Sequence, residues 1–315
     1  MTLAQPATRP RLGFAGVGWI GRNRLEAIER SGAAEVAGIC DPAFDGCLDS
    51  FDELLELELD GVVIATPSAV HAEQAIAALD RGLAVFCQKP LALDAAAAQR
   101  VVDAARAADR LLLVDLSYRW TEAAGCVRRE AASGRLGEIY AAELAFHNAY
   151  GPDKAWFYDR DLSGGGCVTD LGVHLIDLAL WTLGFPAVRS VASHLHGDGV
   201  EDYASAELEL DGGAVVRLAC SWRLHAGRDC VLEASFYGTE GGAAFRNVGG
   251  SVYDFVAERY DGTQTRVLTE PPDEWSGRAA VEWARRVAAG ERFDAAAEEY
   301  VAVHDVIDRI YGAPR

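Results

Sequence analysis

The sequence predicts two domains: an α/β domain with a doubly wound parallel sheet over residues 1–118, and an α+β domain with a mostly antiparallel sheet over residues 119–315. Three observations carry this reading. Over roughly the first 115 residues, short and continuously apolar runs alternate with helical patterns, as parallel strands covered on both faces require. From about Leu136 the runs alternate apolar and polar residues instead, the pattern of antiparallel strands with one wet face. The 315 residues, 50% hydrophobic and 24% charged, are enough for two medium cores.

The strands of the first domain are expected at Leu12–Ala15, Glu35–Cys40, Gly61–Ala65, Leu83–Cys87 and Leu111–Asp115, with helices over Trp19–Arg30, Ala69–Asp80 and Asp94–Ala108. In the second domain, strands are expected at Ile139–His147, Val188–His196, Ser205–Leu210, Ala214–Ser221 and Val231–Tyr237. One apolar helix, Asp170–Leu183, interrupts them, and helices near Asp273–Ala289 and Ala295–Tyr311 close the chain. The boundary near Tyr118 follows from the change of texture alone, since no repeat or low-complexity linker marks it.

Charge narrows the function classes. The 29 basic and 48 acidic residues give a formal net charge of −19, which repels phosphate backbones and anionic lipid and argues against nucleic acid or membrane as partners. No apolar run approaches the roughly 20 residues that span a bilayer, and Met1–Arg11 lacks the apolar core of a secretory signal. The cysteines (Cys40, Cys47, Cys87, Cys126, Cys167, Cys220, Cys230) are odd in number and contain no C-x-x-C pair, which fits reduced, buried thiols in a cytoplasmic protein. Only Lys89 and Lys154 are lysines. Arginine cannot give up its proton, so a surviving lysine is expected where a titratable amine is needed.

After the first strand comes Gly16-Val17-Gly18-Trp19-Ile20-Gly21, opening directly into a helix. Glycines there allow a tight turn and close approach of backbone to a pyrophosphate at the helix N-terminus. Asp41 ends the next strand, 20 residues beyond Gly21, where an acid binds the adenosine ribose. No Lys or Arg occurs between Asp41 and Leu59 to neutralise a 2′-phosphate, so NAD(H) is expected over NADP(H), with Arg22 and Arg24 the residues that would reverse the preference. Ala65-Thr66-Pro67-Ser68 and Cys87-Gln88-Lys89-Pro90 end the third and fourth strands on the carboxyl edge, where open α/β sheets hold ligands. His71, one turn further on, fits either a ligand contact or a capping and packing histidine.

The segment 164–177, GGGCVTDLGVHLID, places Asp170, His174 and Asp177 at i, i+4 and i+7 on one face of an otherwise apolar helix. Burying this stripe costs several kcal/mol unless its members satisfy one another or a ligand. Asp170 lies in the first turn, where the helix dipole favours a carboxylate, and an Asp beside a His suits a general acid/base. Asp177 is the member assigned to structure, and a polar cluster joining two domains is the bland alternative for all three. Trp156, Phe157 and Tyr158 precede the glycine run and fit either sugar stacking or core plugging. His194 and His196 share a strand face near Asp198, but spacing sets no third ligand and no metal is expected.

In this order, GFAGVGWIGR (13–22), ATPSAVH (65–71), QKP (88–90) and GGGCVTDLGVHLID (164–177) resemble the Gfo/Idh/MocA oxidoreductase family, as does the closing stretch Glu298–Gly312. The resemblance covers nearly the whole chain. It implies an N-terminal Rossmann domain joined to an open-faced sheet domain, with dimers or tetramers commonly formed through that sheet. It also implies nicotinamide-dependent chemistry at a carbinol or carbonyl carbon of a sugar, inositol or related polyol. By similarity Lys89, Asp170 and His174 hold the catalytic positions, and Gly16, Gly18, Trp19, Ile20, Gly21, Asp41, Thr66, Pro67, His71, Gln88 and Lys89 the cofactor. Tyr118, Arg119 and Trp156 are expected beside Asp170 and His174 on the substrate. In oxidation, His174 would take the hydroxyl proton, oriented by Asp170, while Lys89 bonds the same oxygen and relays the proton.

Two departures from the family pattern stand out. Gln88 replaces the usual Glu before the lysine, removing a negative charge. Only 19 residues separate Asp41 from Asp60, about a dozen fewer than the family's usual helix and short strand need, so the second crossover helix is expected to be missing or vestigial. Two alternative functions stay open at this point: an NAD-dependent, redox-assisted glycosidase, and a non-catalytic NAD(P)-sensing regulator, which Gln88 favours slightly and the retained Lys89, Asp170 and His174 oppose.

Overall fold

The computed structural model describes residues Arg9–Gly312, so most of the N-terminal stretch read for a secretory signal lies outside the described residues. In chain order the elements begin β1 (Arg11–Ala15), α1 (Trp19–Ser31), β2 (Glu35–Cys40), α2 (Phe51–Leu55), β3 (Gly61–Ile64), α3 (His71–Asp80), β4 (Ala84–Cys87), α4 (Ala95–Ala108) and β5 (Leu112–Val114). They continue with α5 (Glu122–Ala132), β6 (Ile139–Asn148), α6 (Arg160–Ser163), a π-helical turn (Val168–Gly172), α7 (Val173–Leu183), β7 (Val188–His196), β8 (Tyr203–Leu210) and β9 (Val215–Ser221). Last come β10 (Cys230–Gly238), β11 (Gly241–Asn247), β12 (Phe255–Asp261), β13 (Gln264–Thr269), α8 (Arg278–Ala288) and α9 (Glu298–Ile310).

The chain divides into two compact units. The first takes in residues up to Ala92, Ala96–Asp115 and Ser276–Tyr300; the second takes in Leu93–Ala95, Leu116–Trp275 and residues from Val301 on. The first unit is therefore not contiguous, unlike the division at 118/119 read from the sequence. Trp283 of α8 is fully buried against Phe86 of β4, ring centroids 5.7 Å apart, and a Cβ on Gly61 would lie 2.9 Å from its indole. An indole of that size belongs to the core it fills.

Five parallel strands in the order β2-β1-β3-β4-β5 form the sheet of the first unit. Ala15 pairs with Cys40 and Ile64, Ile64 with Cys87, and Cys87 with Val114, so the carboxyl ends of all five strands stand on one edge. The expected loss of the second crossover helix takes the form of one short helical turn, α2. Leu48, Phe51, Leu57 and Leu59 pack against Ala15, Cys40 and Leu54 to cover that face of the sheet. Glycine makes the room: a Cβ on Gly13 would sit 2.8 Å from Leu59, and one on Gly38 would collide with Leu57.

Eight strands in the order β13-β12-β11-β10-β6-β9-β8-β7 form the sheet of the second unit, all neighbours antiparallel except β6 and β9. Ala142, Leu144 and Phe146 of β6 are buried while Glu143 between them is exposed, so α5 and α7 cover one face and the other stays open. The sequence reading missed α5 and β11–β13. Strand β11 begins Gly-Gly-Ala-Ala, which reads as turn by propensity and becomes strand through pairing on both sides. The stretch Arg160–Leu183 is long and apolar enough by composition to cross a membrane, contrary to the expectation that no run approached this. It is 83% buried over its most apolar window, and α7 within it is a core helix.

Candidate active site

On the carboxyl edge of the first unit, Gly16 turns the chain at φ 86°, and a Cβ there would lie 2.6 Å from the carbonyl oxygen of Ala65. A Cβ on Gly21 would collide with the carbonyl of Gly16. Gly18 caps α1 without a side-chain hydrogen bond, so the N–H groups of the first turn remain open at the mouth of the loop. Asp41 emerges from β2 beside it: Oδ2 accepts from the Val17 N–H at 2.7 Å and Oδ1 from the Ala43 N–H at 2.9 Å. A backbone cradle at the N-terminus of a 13-residue helix, with a carboxylate fixed at its side, fits a dinucleotide. Trp19 stands 70% exposed at the start of α1, with Ile20 half-buried after it. Of the two arginines early in α1, Arg24 is buried on Asp115, while Arg22 lies over the ring of Phe44, three residues beyond Asp41, at 5.0 Å.

The next strand ends are tied together beneath the edge. Thr66 is half-buried and its hydroxyl donates to Gln74 at 2.6 Å, while Pro67 is exposed. His71, expected on the cofactor, is instead 1% exposed under the loop, with Nδ1 2.8 Å from the Pro90 carbonyl and Nε2 2.7 Å from the Thr66 carbonyl. Both ring nitrogens face backbone carbonyls, of which a neutral ring donates to one, and this is the packing alternative. Burial pushes the His71 pKa down, with the two carbonyls pulling it up and Lys89 adding to the fall. Gln88 is buried and turns inward, its amide donating to Oδ2 of Asp115, which also accepts from Arg24 Nε at 2.6 Å. Oδ1 of Asp115 finds no hydrogen-bond partner among the described residues. Lys89 is half-buried at the strand end. The acid missing at position 88 thus has a counterpart: Asp115, at the end of β5, supplies a carboxylate to the Gln88 side chain. Sequence reasoning passed over Asp115, although an Asp at a strand's carboxyl end was the same signal that singled out Asp41.

In the second unit, the glycine run 164–166 lets the backbone close up before the π turn. A Cβ on Gly166 would meet the Glu201 carbonyl, and one on Gly165 the Tyr311 hydroxyl. The Glu201 carboxylate accepts from the N–H groups of Gly166 and Val168, each at 2.9 Å to Oε1, and from the Tyr311 hydroxyl at 2.7 Å. An acid there complements the helix dipole. Nothing near the motif in sequence points to Glu201 or Tyr311.

The expected single helix from Asp170 opens as the π turn Val168–Gly172, with Asp170 half-buried inside it. Such turns collect at functional sites. His174, 6% exposed, lies one turn further on, and the Tyr118 ring stands edge-on to it at 4.8 Å. Tyr118 is 8% exposed and packs also on Phe146, Phe255 and Trp275, making it a wall behind His174. Burial drives its pKa far up, so it stays a phenol. Asp177 is buried, and Arg119 Nε donates to both its oxygens at 3.0 and 2.9 Å, the kind of contact a structural role requires. Arg119, expected on substrate, is thereby committed to Asp177 and to the rings of Trp181 and Phe185.

Asp170 receives a residue the sequence reading did not name. The indole Nε1–H of Trp222, just beyond β9, donates to Asp170 Oδ2 at 3.0 Å. Trp156 stacks on Phe157 at 3.8 Å and both are half-buried, with Tyr158 exposed beside them. At the exposed end of β7, His196 pairs with Asp202 at 3.0 Å, and among the described residues no cluster of His, Cys, Asp and Glu is arranged to hold a metal ion.

Comparison with known proteins gives the same two parts. Residues 11–116 match the oxidoreductase family, NAD-binding Rossmann fold, and residues 126–244 match the GFO/IDH/MocA C-terminal domain. The chain is 31% identical to the D-glucoside 3-dehydrogenase of Escherichia coli (strain K12), over 60% of this chain and 60% of that protein's length. It is 32% identical to the D-xylose 1-dehydrogenase (NADP(+)) 2 of Haloferax volcanii, over 83% of this chain and 80% of the other. The crystal structure of GenD2 from gentamicin A biosynthesis, in complex with NAD, superimposes with a TM-score of 0.82 at 26% identity, covering 97% of this chain and 94% of that one.

Proposed function

The chain belongs to the Gfo/Idh/MocA oxidoreductase family, and on that premise we propose that it transfers a hydride between a nicotinamide cofactor and a carbinol or carbonyl carbon of a sugar, inositol or related polyol. The observation that carries this reading is the placement of a half-buried Asp170 on a π turn with a buried His174 one turn later, in a chain that also holds a complete dinucleotide loop. Bound NAD would supply the hydride acceptor. In oxidation, His174 takes the hydroxyl proton as the carbon gives up its hydride, Asp170 fixes the orientation of the pair, and the Lys89 ammonium hydrogen-bonds the reacting oxygen. The first turn of α1 binds the pyrophosphate and Asp41 the adenosine ribose. Arg24 is spent on Asp115 and Asp41 follows β2, which supports NAD(H) over NADP(H); Arg22, over the Phe44 ring three residues beyond Asp41, is the cation that would reverse the preference. Trp156 is assigned to the substrate side. Seven free thiols support a cytoplasmic protein, and the open face of the eight-stranded sheet supports self-association through that face.

The test is NADH formation from NAD across inositols, aldoses, sugar acids and amino sugars, with His174→Asn beside each. Turnover that disappears in the variant is the expected result. Glycoside release without net NADH would replace this reading with redox-assisted hydrolysis.

A further inference from the structure

Trp222 stands where the chain leaves β9, and it is 3% exposed. Its N–H faces the Asp170 carboxylate at 3.0 Å, and its ring is met edge-on by Phe157 at 6.4 Å and by Tyr158 at 5.6 Å. The next residue, Arg223, sits at φ 60°, a conformation a side chain of its size rarely adopts. From there its guanidinium lies over the Tyr158 ring at 5.4 Å and donates to the Tyr158 hydroxyl at 3.2 Å. That hydroxyl donates in turn to the Pro152 carbonyl at 3.0 Å. Two successive residues thus hold two different structures, Trp222 the acid/base turn and Arg223 the aromatic segment. Backbone strain that persists at such a junction marks a place the surrounding contacts over-determine.

We propose that Trp222 is a positioning residue for the acid/base pair: its indole N–H holds the Asp170 carboxylate in the orientation used with His174, and its ring couples that orientation to the aromatic segment 156–158. This rests on the proposed role of Asp170 and His174. An indole suits the task because it donates one hydrogen bond, accepts none, and is anchored by a large apolar body. Tyr118 and Cys167 are among the ionisable groups within electrical reach of Asp170. Tyr118 is driven up by burial, and Cys167 by its contact with Cys220 and by burial, so both stay neutral across the working pH range.

The test is Trp222→Phe, which keeps an aromatic ring and removes the donor. The expected result is a kcat lowered about tenfold or more, the loss of one hydrogen bond to a charged group, with KM changed far less. A second readout needs no turnover: in protein with 15N-labelled tryptophan, one indole N–H resonance moves in Asp170→Asn, because its acceptor is no longer a carboxylate. That measurement carries the test should Trp222→Phe fail to fold. A Trp222→Phe enzyme with wild-type kcat overturns the proposal, as does an indole spectrum indifferent to Asp170→Asn. If Asp170→Asn and His174→Asn turn over at the wild-type rate while the indole signal behaves as expected, the contact stands and the assignment of the acid/base pair falls.

Discussion

The two halves of the proposed chemistry are built from different material. In the first unit the dinucleotide side is mostly backbone: the φ of Gly16, the uncapped N–H groups of α1, and one carboxylate, Asp41, bonded to the Val17 N–H. In the second unit the acid/base side is mostly side chains, each held by a residue distant in sequence. Asp170 is bonded to Trp222 across 52 residues, Asp177 to Arg119 across 58, and Glu201 is reached by Tyr311 across 110. A backbone site tolerates side-chain changes but not added volume. A side-chain site should behave the opposite way, losing chemistry to a single substitution while keeping its fold.

The sharpest contrast comes from His174→Asn. Removing a general acid/base should lower kcat by about 10² to 10⁴, while NADH binding, followed by fluorescence, stays near wild type. Loss of NADH binding in this variant would show that the two units do not divide the work this way. Next in size is the buried network that most resembles the second unit's construction although it lies in the first. Asp115→Asn leaves Arg24, 3% exposed, without its carboxylate. That should cost about 3–5 kcal/mol, the usual result of breaking a buried pair from one side. Gln88→Glu should also destabilise, because two buried carboxylates would then share one site. The double variant Gln88→Glu/Asp115→Asn restores one acid and one amide and should recover most of the loss in urea unfolding. Additive losses would mean that positions 88 and 115 do not share the charge.

Gly21→Ala probes the backbone half directly. Its methyl group has no space against the Gly16 carbonyl, so the loop must shift. We expect about 1–3 kcal/mol of destabilisation and a loss of NADH affinity greater than that in any of the second unit's variants. An alanine enzyme that binds NADH normally would break the comparison.

The same division explains what the sequence could reveal. The glycine loop, Asp41 and the strand ends were legible because a backbone site is written in one contiguous motif. The stripe of Asp170, His174 and Asp177 was legible as spacing, but the turn beneath it is π-helical, and the partners of its members come from other elements. Arg119 looked like a substrate contact because no local pattern connects it to Asp177. Trp222 and Glu201 left no signal, since the end of β9 and the loop before β8 meet the helix only through the tertiary fold. The shortened second crossover was readable by counting residues. The leucines that replace it, and Gly13 and Gly38 that admit them, required packing to be seen.

His71 gives the smallest effect, and its sign separates two opposing forces. Two carbonyl oxygens face its ring, which favours the doubly protonated imidazolium, while complete burial and the nearby Lys89 disfavour it. Burial is the larger influence, so the folded-state pKa lies below the ordinary value near 6.5. The unfolded chain then takes up a proton that the folded chain refuses. Stability from this group is full above that ordinary value and falls as pH drops through it towards the folded pKa, by at most about 1.4 kcal/mol per pH unit. Guanidinium unfolding of wild type and His71→Asn between pH 7.5 and 5 reads this directly. The difference between the two stabilities should shrink on acidification, because only wild type carries the penalty. A difference that grows instead would mean that the carbonyls of Thr66 and Pro90 hold a charged imidazole, making His71 a buried cation beneath the strand ends rather than a neutral ring that donates to only one of the two.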